Sequence, residues 1–246
     1  MKSVILCEGS TDLTLIQYYL EKTAQWKYIN NTSSLGAEFR LEKHLKREQD
    51  ILGIGATGSC SKIIPCLREV VDTVKFASNP AEGFDKIVII ADRDEVGSED
   101  DFIRKLEELF EEEGLECSGI IENNKWLSIS CENGRKQRVI VGLLLLLIPF
   151  DGQGALETFL LNAIADSDVY DKQIIEDCTL FVEAVDLERR YLKKRRYITK
   201  AKFDVYFSIR TALEQFQERR NILRSVPWED YLLVQECFSK LEELHV

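Results

Sequence analysis

The chain has 246 residues, 45% hydrophobic and 30% charged, with 43 acidic against 32 basic side chains and a formal net charge of −11. That apolar content suffices for a sizeable core in one large domain or two small ones, and the acidic balance argues against a dedicated nucleic-acid binder, which is usually basic. The longest apolar run, Val139 to Pro149, falls short of the roughly 20 residues needed to cross a bilayer, and Met1-Lys2-Ser3 runs straight into a strand with no secretory signal.

Ser3-Val4-Ile5-Leu6-Cys7 reads as the first strand. Glu8-Gly9-Ser10-Thr11-Asp12 then opens a helix through Leu13, Ile16, Tyr19 and Leu20, so Glu8 stands at a strand end, Gly9 permits the turn, and Ser10 or Thr11 caps the helix. Trp26 to Asp50 is polar and charged and reads as an excursion. Ile51-Leu52-Gly53-Ile54 is a short strand leading into a glycine loop, followed by a helix with Ile63, Ile64, Leu67, Val70 and Val71 at helical spacing. After a loop over Asn79 to Gly83, the wholly apolar Ile87-Val88-Ile89-Ile90-Ala91 reads as a buried parallel strand that ends abruptly in Asp92-Arg93-Asp94. A third helix buries Phe102, Ile103, Leu106, Leu109 and Phe110 and solvates Glu107, Glu108 and Glu111 to Glu113. Ser118 to Ile121 reads as a fourth strand. This βαβαβαβ order predicts an α/β fold over residues 1–125, a parallel sheet with helices on both faces.

Residues 126–246 change character. Trp126 to Ser130 and Arg138 to Val141 flank Asn133-Gly134, a hairpin signal, and the second arm continues to Ile148. A helix carrying Glu157 starts near Gln153, and helical patterns follow around 173–196, 204–219 and 229–244. The rear is a β-hairpin with an α-helical part packed on the first unit.

Asp92 and Asp94 are the most informative pair. Two carboxylates one residue apart, at the carboxyl edge of a parallel strand, face the region where such sheets bind ligands. They repel unless a cation sits between them, and oxygen donors of this kind suit Mg²⁺ or Mn²⁺. Glu8, at a second strand end, makes a three-carboxylate metal site plausible. The glycine loop, with Gly55, Gly58, Ser59 and Lys62, is either a cradle for a phosphate beside the metal or a tight strand-to-helix connection. Gly53 to Gly58 is formally GxGxxG, but no clean next strand ends in an acid at the roughly 20-residue distance of a dinucleotide site, and Ser59 in place of Lys rules out a Walker A loop. Basic residues cluster at Arg189, Arg190 and Lys193 to Arg196, then Lys200 and Lys202, interleaved with Tyr191 and Tyr197. They are either a local phosphate-binding surface or partners for the protein's own acids. Neither His44 nor His245 lies near a motif. Seven cysteines, odd in number and without CxxC, read as reduced thiols of a cytoplasmic protein.

Cys7-Glu8-Gly9-Ser10-Thr11-Asp12, then Ile54-Gly55-Ala56-Thr57-Gly58-Ser59, then Ala91-Asp92-Arg93-Asp94, resembles the Toprim signature shared by topoisomerases, bacterial primases and overcoming-lysogenization-defect (OLD) nucleases. Gly154-Ala155-Leu156-Glu157-Thr158-Phe159-Leu160 and Lys200-Ala201-Lys202 resemble elements of standalone Toprim-like proteins of unknown function related to the OLD nucleases. The resemblance implies a Toprim/Rossmann-like sheet and a Mg²⁺ (or Mn²⁺) site at Glu8, Asp92 and Asp94. Asp12 or Glu157 would complete a second metal position, and Glu8 is alternatively a general acid or base. Lys125, Lys200 and Lys202 are candidates to stabilise a phosphate. The chain is too short for a strand-passage domain and lacks the zinc modules and Walker A loop of other Toprim classes. The expectation is a metal-dependent nuclease or related phosphoesterase acting on nucleic acid. The alternative is a non-enzymatic metal- or nucleotide-binding module that works with a separate protein partner such as an ATPase.

Overall fold

The computed structural model describes residues 1–30, 34–79, 82–93, 97–212 and 219–245. In chain order these build β1 (Lys2–Cys7), α1 (Ser10–Thr23), β2 (Lys27–Ile29), β3 (Leu41–Arg47), β4 (Asp50–Ala56), α2 (Ile63–Phe76), β5 (Lys86–Asp92) and α3 (Ser98–Glu113). Then come β6 (Glu116–Cys117), β7 (Trp126–Glu132), β8 (Arg138–Ile148), α4 (Leu156–Ser167), α5 (Val169–Val185), α6 (Arg195–Arg210), α7 (Arg219–Ser225) and α8 (Leu232–Phe238). The strands join in one sheet of order β2-β3-β4-β1-β5-β8-β7-β6. Its centre is parallel: β1 pairs with β4 and β5, and β5 with β8, while both edges are antiparallel.

Each central strand is apolar through its middle, where both of its faces are buried. Ile5, Val88, Ile90, Leu144 and Leu146 enter a core shared with α1 and the C-terminal helices. Val4, Leu6, Ile87, Ile89, Leu143 and Leu145 enter a second core under α2 and α3. Successive side chains of a strand point to opposite faces, so a continuous run of Ile, Val and Leu serves both layers at once.

Three expectations are corrected. The strand beside β5 is not Ser118 to Ile121 but β8, whose Gly142 to Ile148 pairs with Lys86 to Asp92. Ile120 is 78% exposed, whereas the leucines of β8 supply apolar groups to both faces. The hairpin is therefore part of the main sheet, which crosses from residues 1–125 into 126–148. The charged excursion contains β2 and β3, an antiparallel edge whose lysines suit a strand exposed to water. The helical pattern at 173–196 breaks at Val185. Asp186 follows, and its carboxylate accepts the backbone N–H groups of Arg190, Tyr191 and Leu192, which folds 186–192 into a turn before α6. Among the described residues no helix is long and apolar enough to cross a membrane.

Candidate active site at the carboxyl edge of the sheet

The chain leaves β1, β4 and β5 at the same edge, and a cleft of about 660 Å³ opens there. Its acidic wall carries Glu8, Asp12, Asp92 and Glu157. Asp94 lies outside the described residues. The Glu8 carboxylate accepts the Asp92 backbone N–H at 2.9 Å, fastening the β1 acid to the end of β5. Asp92 in turn accepts the Leu156 N–H at 3.0 Å, at the first turn of α4, where the helix dipole favours an anion. That bond sets Glu157, the next residue, into the same cleft. Arg93 points elsewhere: its guanidinium binds the Phe150 carbonyl and Glu99, and its backbone bridges Gly154. The segment 150–154 is thereby strapped to the end of β5.

Asp12 is buried, and its carboxylate accepts the Gly9 N–H at 2.9 Å. Gly9 is thus the cap residue of α1, and the capping acid is Asp12 three residues on; neither Ser10 nor Thr11 fills that role. Burial first, and then the charges of Glu8 and Glu157, push the Asp12 carboxyl up to about 7. The Cys7 thiol beneath is raised well above its usual range by burial and by Asp12, Glu8 and Asp92. It stays protonated, which argues against thiolate chemistry. Glu157 is buried beside Arg219, 3.4 Å away, which also grips Asp204 through two contacts of 2.8 Å.

The same cleft also has a basic lining. Arg195, Arg196, Tyr197, Thr199 and Lys200, from the first turns of α6, line the cleft, with Arg40 at its side. Of the lysine candidates only Lys200 lines it; Lys202 pairs with Glu183 at 2.5 Å and Lys125 with Glu122 at 2.7 Å. Tyr197 carries an Arg196 guanidinium against its hydroxyl, which lowers its pKa.

The glycine loop is shorter than its sequence suggests. Gly53 and Gly55 are inside β4, and a Cβ would meet Leu35 at 2.4 Å and the Phe39 ring at 2.3 Å. These glycines admit side chains of the excursion onto the strand, and Gly55 does not line the cleft. Lys62 pairs with Glu38 at 3.1 Å and does not line the cleft. Gly58, at φ +94, and Ser59 do line it. The Gly58 N–H, however, donates to the Glu8 carbonyl at 2.7 Å, so the loop serves to fix Glu8. Arg40, Thr199 and Arg219 carried no sequence signal; topology alone brings them here.

Among the described residues no three His, Cys, Asp or Glu side chains are arranged to hold a metal ion. The donor chemistry nonetheless fits a hard cation, since the acids offer only oxygen, and burial together with the charges of Glu8 and Glu157 raises the Asp12 carboxyl.

No curated protein matches the chain. The crystal structure of hypothetical protein PH0156 from Pyrococcus horikoshii OT3 is similar in fold, with a TM-score of 0.54 and 15% identity over 100% of this chain and 99% of that one. A family model described as a protein of unknown function, DUF3226, matches residues 2–222, and the chain belongs to that family.

Proposed function

We propose that the cleft is a divalent-cation-dependent phosphodiester-cleaving site of Toprim type acting on nucleic acid. The observation that carries this reading is that one cleft is lined both by four carboxylates, from the end of β1 and from α1, β5 and α4, and by the cations at the start of α6. Glu8, Asp92 and Asp94 would hold Mg²⁺ (or Mn²⁺), with Asp12 or Glu157 at a second position. Bound there, the cation supplies charge neutralisation and orientation at a phosphoryl centre. Arg195, Arg196 and Lys200 line the cleft with the acids and would bind the non-bridging phosphate oxygens. Gly58 and the Asp92 N–H hold Glu8 in place from two sides, so that its carboxylate is preorganised.

The test is hydrolysis of a small phosphodiester and of single- and double-stranded DNA and RNA, with Mg²⁺, Mn²⁺ or EDTA. Asp92→Asn keeps an oxygen for the Leu156 N–H and removes the charge. It should lower cation-dependent turnover by about 10²-fold or more while leaving the fold intact. Unchanged turnover in that variant, or no cation-dependent hydrolysis of any substrate by the parent, refutes the proposal and leaves a binding module.

A further inference from the structure

In a protein with 43 acids for 32 cations, most basic side chains could find a carboxylate. Lys202 and Arg219 do, on Glu183 and Asp204. The run Arg189, Arg190, Lys193, Lys194, Arg195 and Arg196 does not: among the described residues none of the six has a carboxylate partner. These cations belong to one continuous stretch, the turn after α5 and the start of α6. Its far end enters, at Arg195 and Arg196, the cleft that Glu8 and Asp92 also line. The Asp186 carboxylate holds the near end through three backbone N–H groups.

Two aromatic rings ride on this stretch. Tyr191 is 72% exposed with the Arg190 guanidinium 5.4 Å from its ring, and Tyr197 is 38% exposed with that of Arg196 at 5.1 Å. Exposed aromatic faces alternating with cations match what a single nucleic-acid strand requires: phosphates neutralised in sequence and bases stacked without sequence readout. A cleft of about 660 Å³ is of the size that encloses a drug-sized ligand, a nucleotide or two.

We infer that the α5–α6 turn is a binding track that delivers a single-stranded nucleic acid, backbone first, to the carboxylate cleft. This deepens the proposed cleavage function and rests on that reading for the direction of the track, whereas the binding itself is measured without it.

The experiment is fluorescence anisotropy of labelled oligo(dT), oligo(U) and a duplex of equal length, titrated with the full chain in EDTA over a series of salt concentrations. The parent should prefer single strands. Replacing Arg190, Lys193 and Lys194 together by Ala should flatten the logarithmic salt slope by about 2, at about 0.7 per phosphate contact on a single strand. Tyr191→Ala should weaken binding about ten-fold or more, and Tyr191→Phe should restore it, because stacking needs the ring and not the hydroxyl. All four positions are exposed, so circular dichroism and the thermal midpoint should match the parent. Equal affinity for duplex, an unchanged salt slope, or equal losses for the Ala and Phe variants would overturn the inference. So would binding to phosphatidylserine-containing vesicles but not to oligonucleotides, which would assign the stretch to a membrane surface. Oligonucleotide binding without cation-dependent hydrolysis would refute the cleavage reading and keep the track. Hydrolysis of a small phosphodiester without oligonucleotide binding would do the reverse.

Discussion

Asp12→Asn turns the crowding of the acidic wall into a measurable pH dependence. In the folded chain the Asp12 carboxyl titrates at about 7; unfolded, it returns to 3.8. Between these values the folded state holds a proton that the unfolded state has released, so stability falls as pH rises through the window and is level above it. At 1.36 kcal/mol per decade the whole window is worth on the order of 4 kcal/mol, of which about 3 falls between about pH 5 and pH 8. Asparagine keeps an acceptor for the Gly9 N–H and cannot ionise. Urea denaturation across this range should therefore show the variant gaining on the parent by about 3 kcal/mol towards alkaline pH. Glu8→Gln in the parent should reduce the slope, since Glu8 is the largest charge acting on Asp12. Saturating Mg²⁺ should recover part of the parent's loss, because a cation among the acids replaces the proton. A variant-to-parent difference that is the same at both pH values would refute the argument that these carboxylates crowd one another.

Other expectations follow from the packing. Gly55→Ala places a Cβ against the Phe39 ring and should cost about 1–3 kcal/mol by urea denaturation; Phe39→Ala in the same chain should return most of it, and additivity would show that the two do not touch. Gly58→Ala forces a side chain into a positive-φ conformation and should cost about 1–3 kcal/mol even though only the Arg40 side chain lies near, with the loss measured as a lower denaturation midpoint. Asp186→Ala frees three backbone donors, so amide hydrogen exchange at Arg190, Tyr191 and Leu192 should quicken while α5 stays protected.

The legible parts of this protein are those where one residue type has one physical use. A run such as Ile87 to Ile90 has no stable place but a strand buried on both faces, and the acids that end it must lie at the sheet edge. Glu8 and Asp92 were readable for that reason, Asp12 and Glu157 only through the resemblance, and all four line one cleft. Illegibility arose wherever a residue has two uses. Glycine serves both a tight positive-φ turn and a strand that admits a large neighbour; Gly58 stands in the turn and Gly53 and Gly55 in the strand, and the difference is Leu35 and Phe39, distant in sequence and without periodicity of their own. The leucines of β8 read equally as a hairpin arm and as the next parallel strand, and they are both, since β8 pairs antiparallel with β7 and parallel with β5. That double pairing has a consequence for the site. Because β8 lies beside β5, the chain emerging from it at Ile148 starts next to Asp92, and a short connection suffices to put the first turn of α4 against the Asp92 carboxylate. Had Ser118 to Ile121 been the neighbouring strand, Glu157 would have no short route to the cleft. The hairpin that looked like an appendage is what delivers the fourth acid.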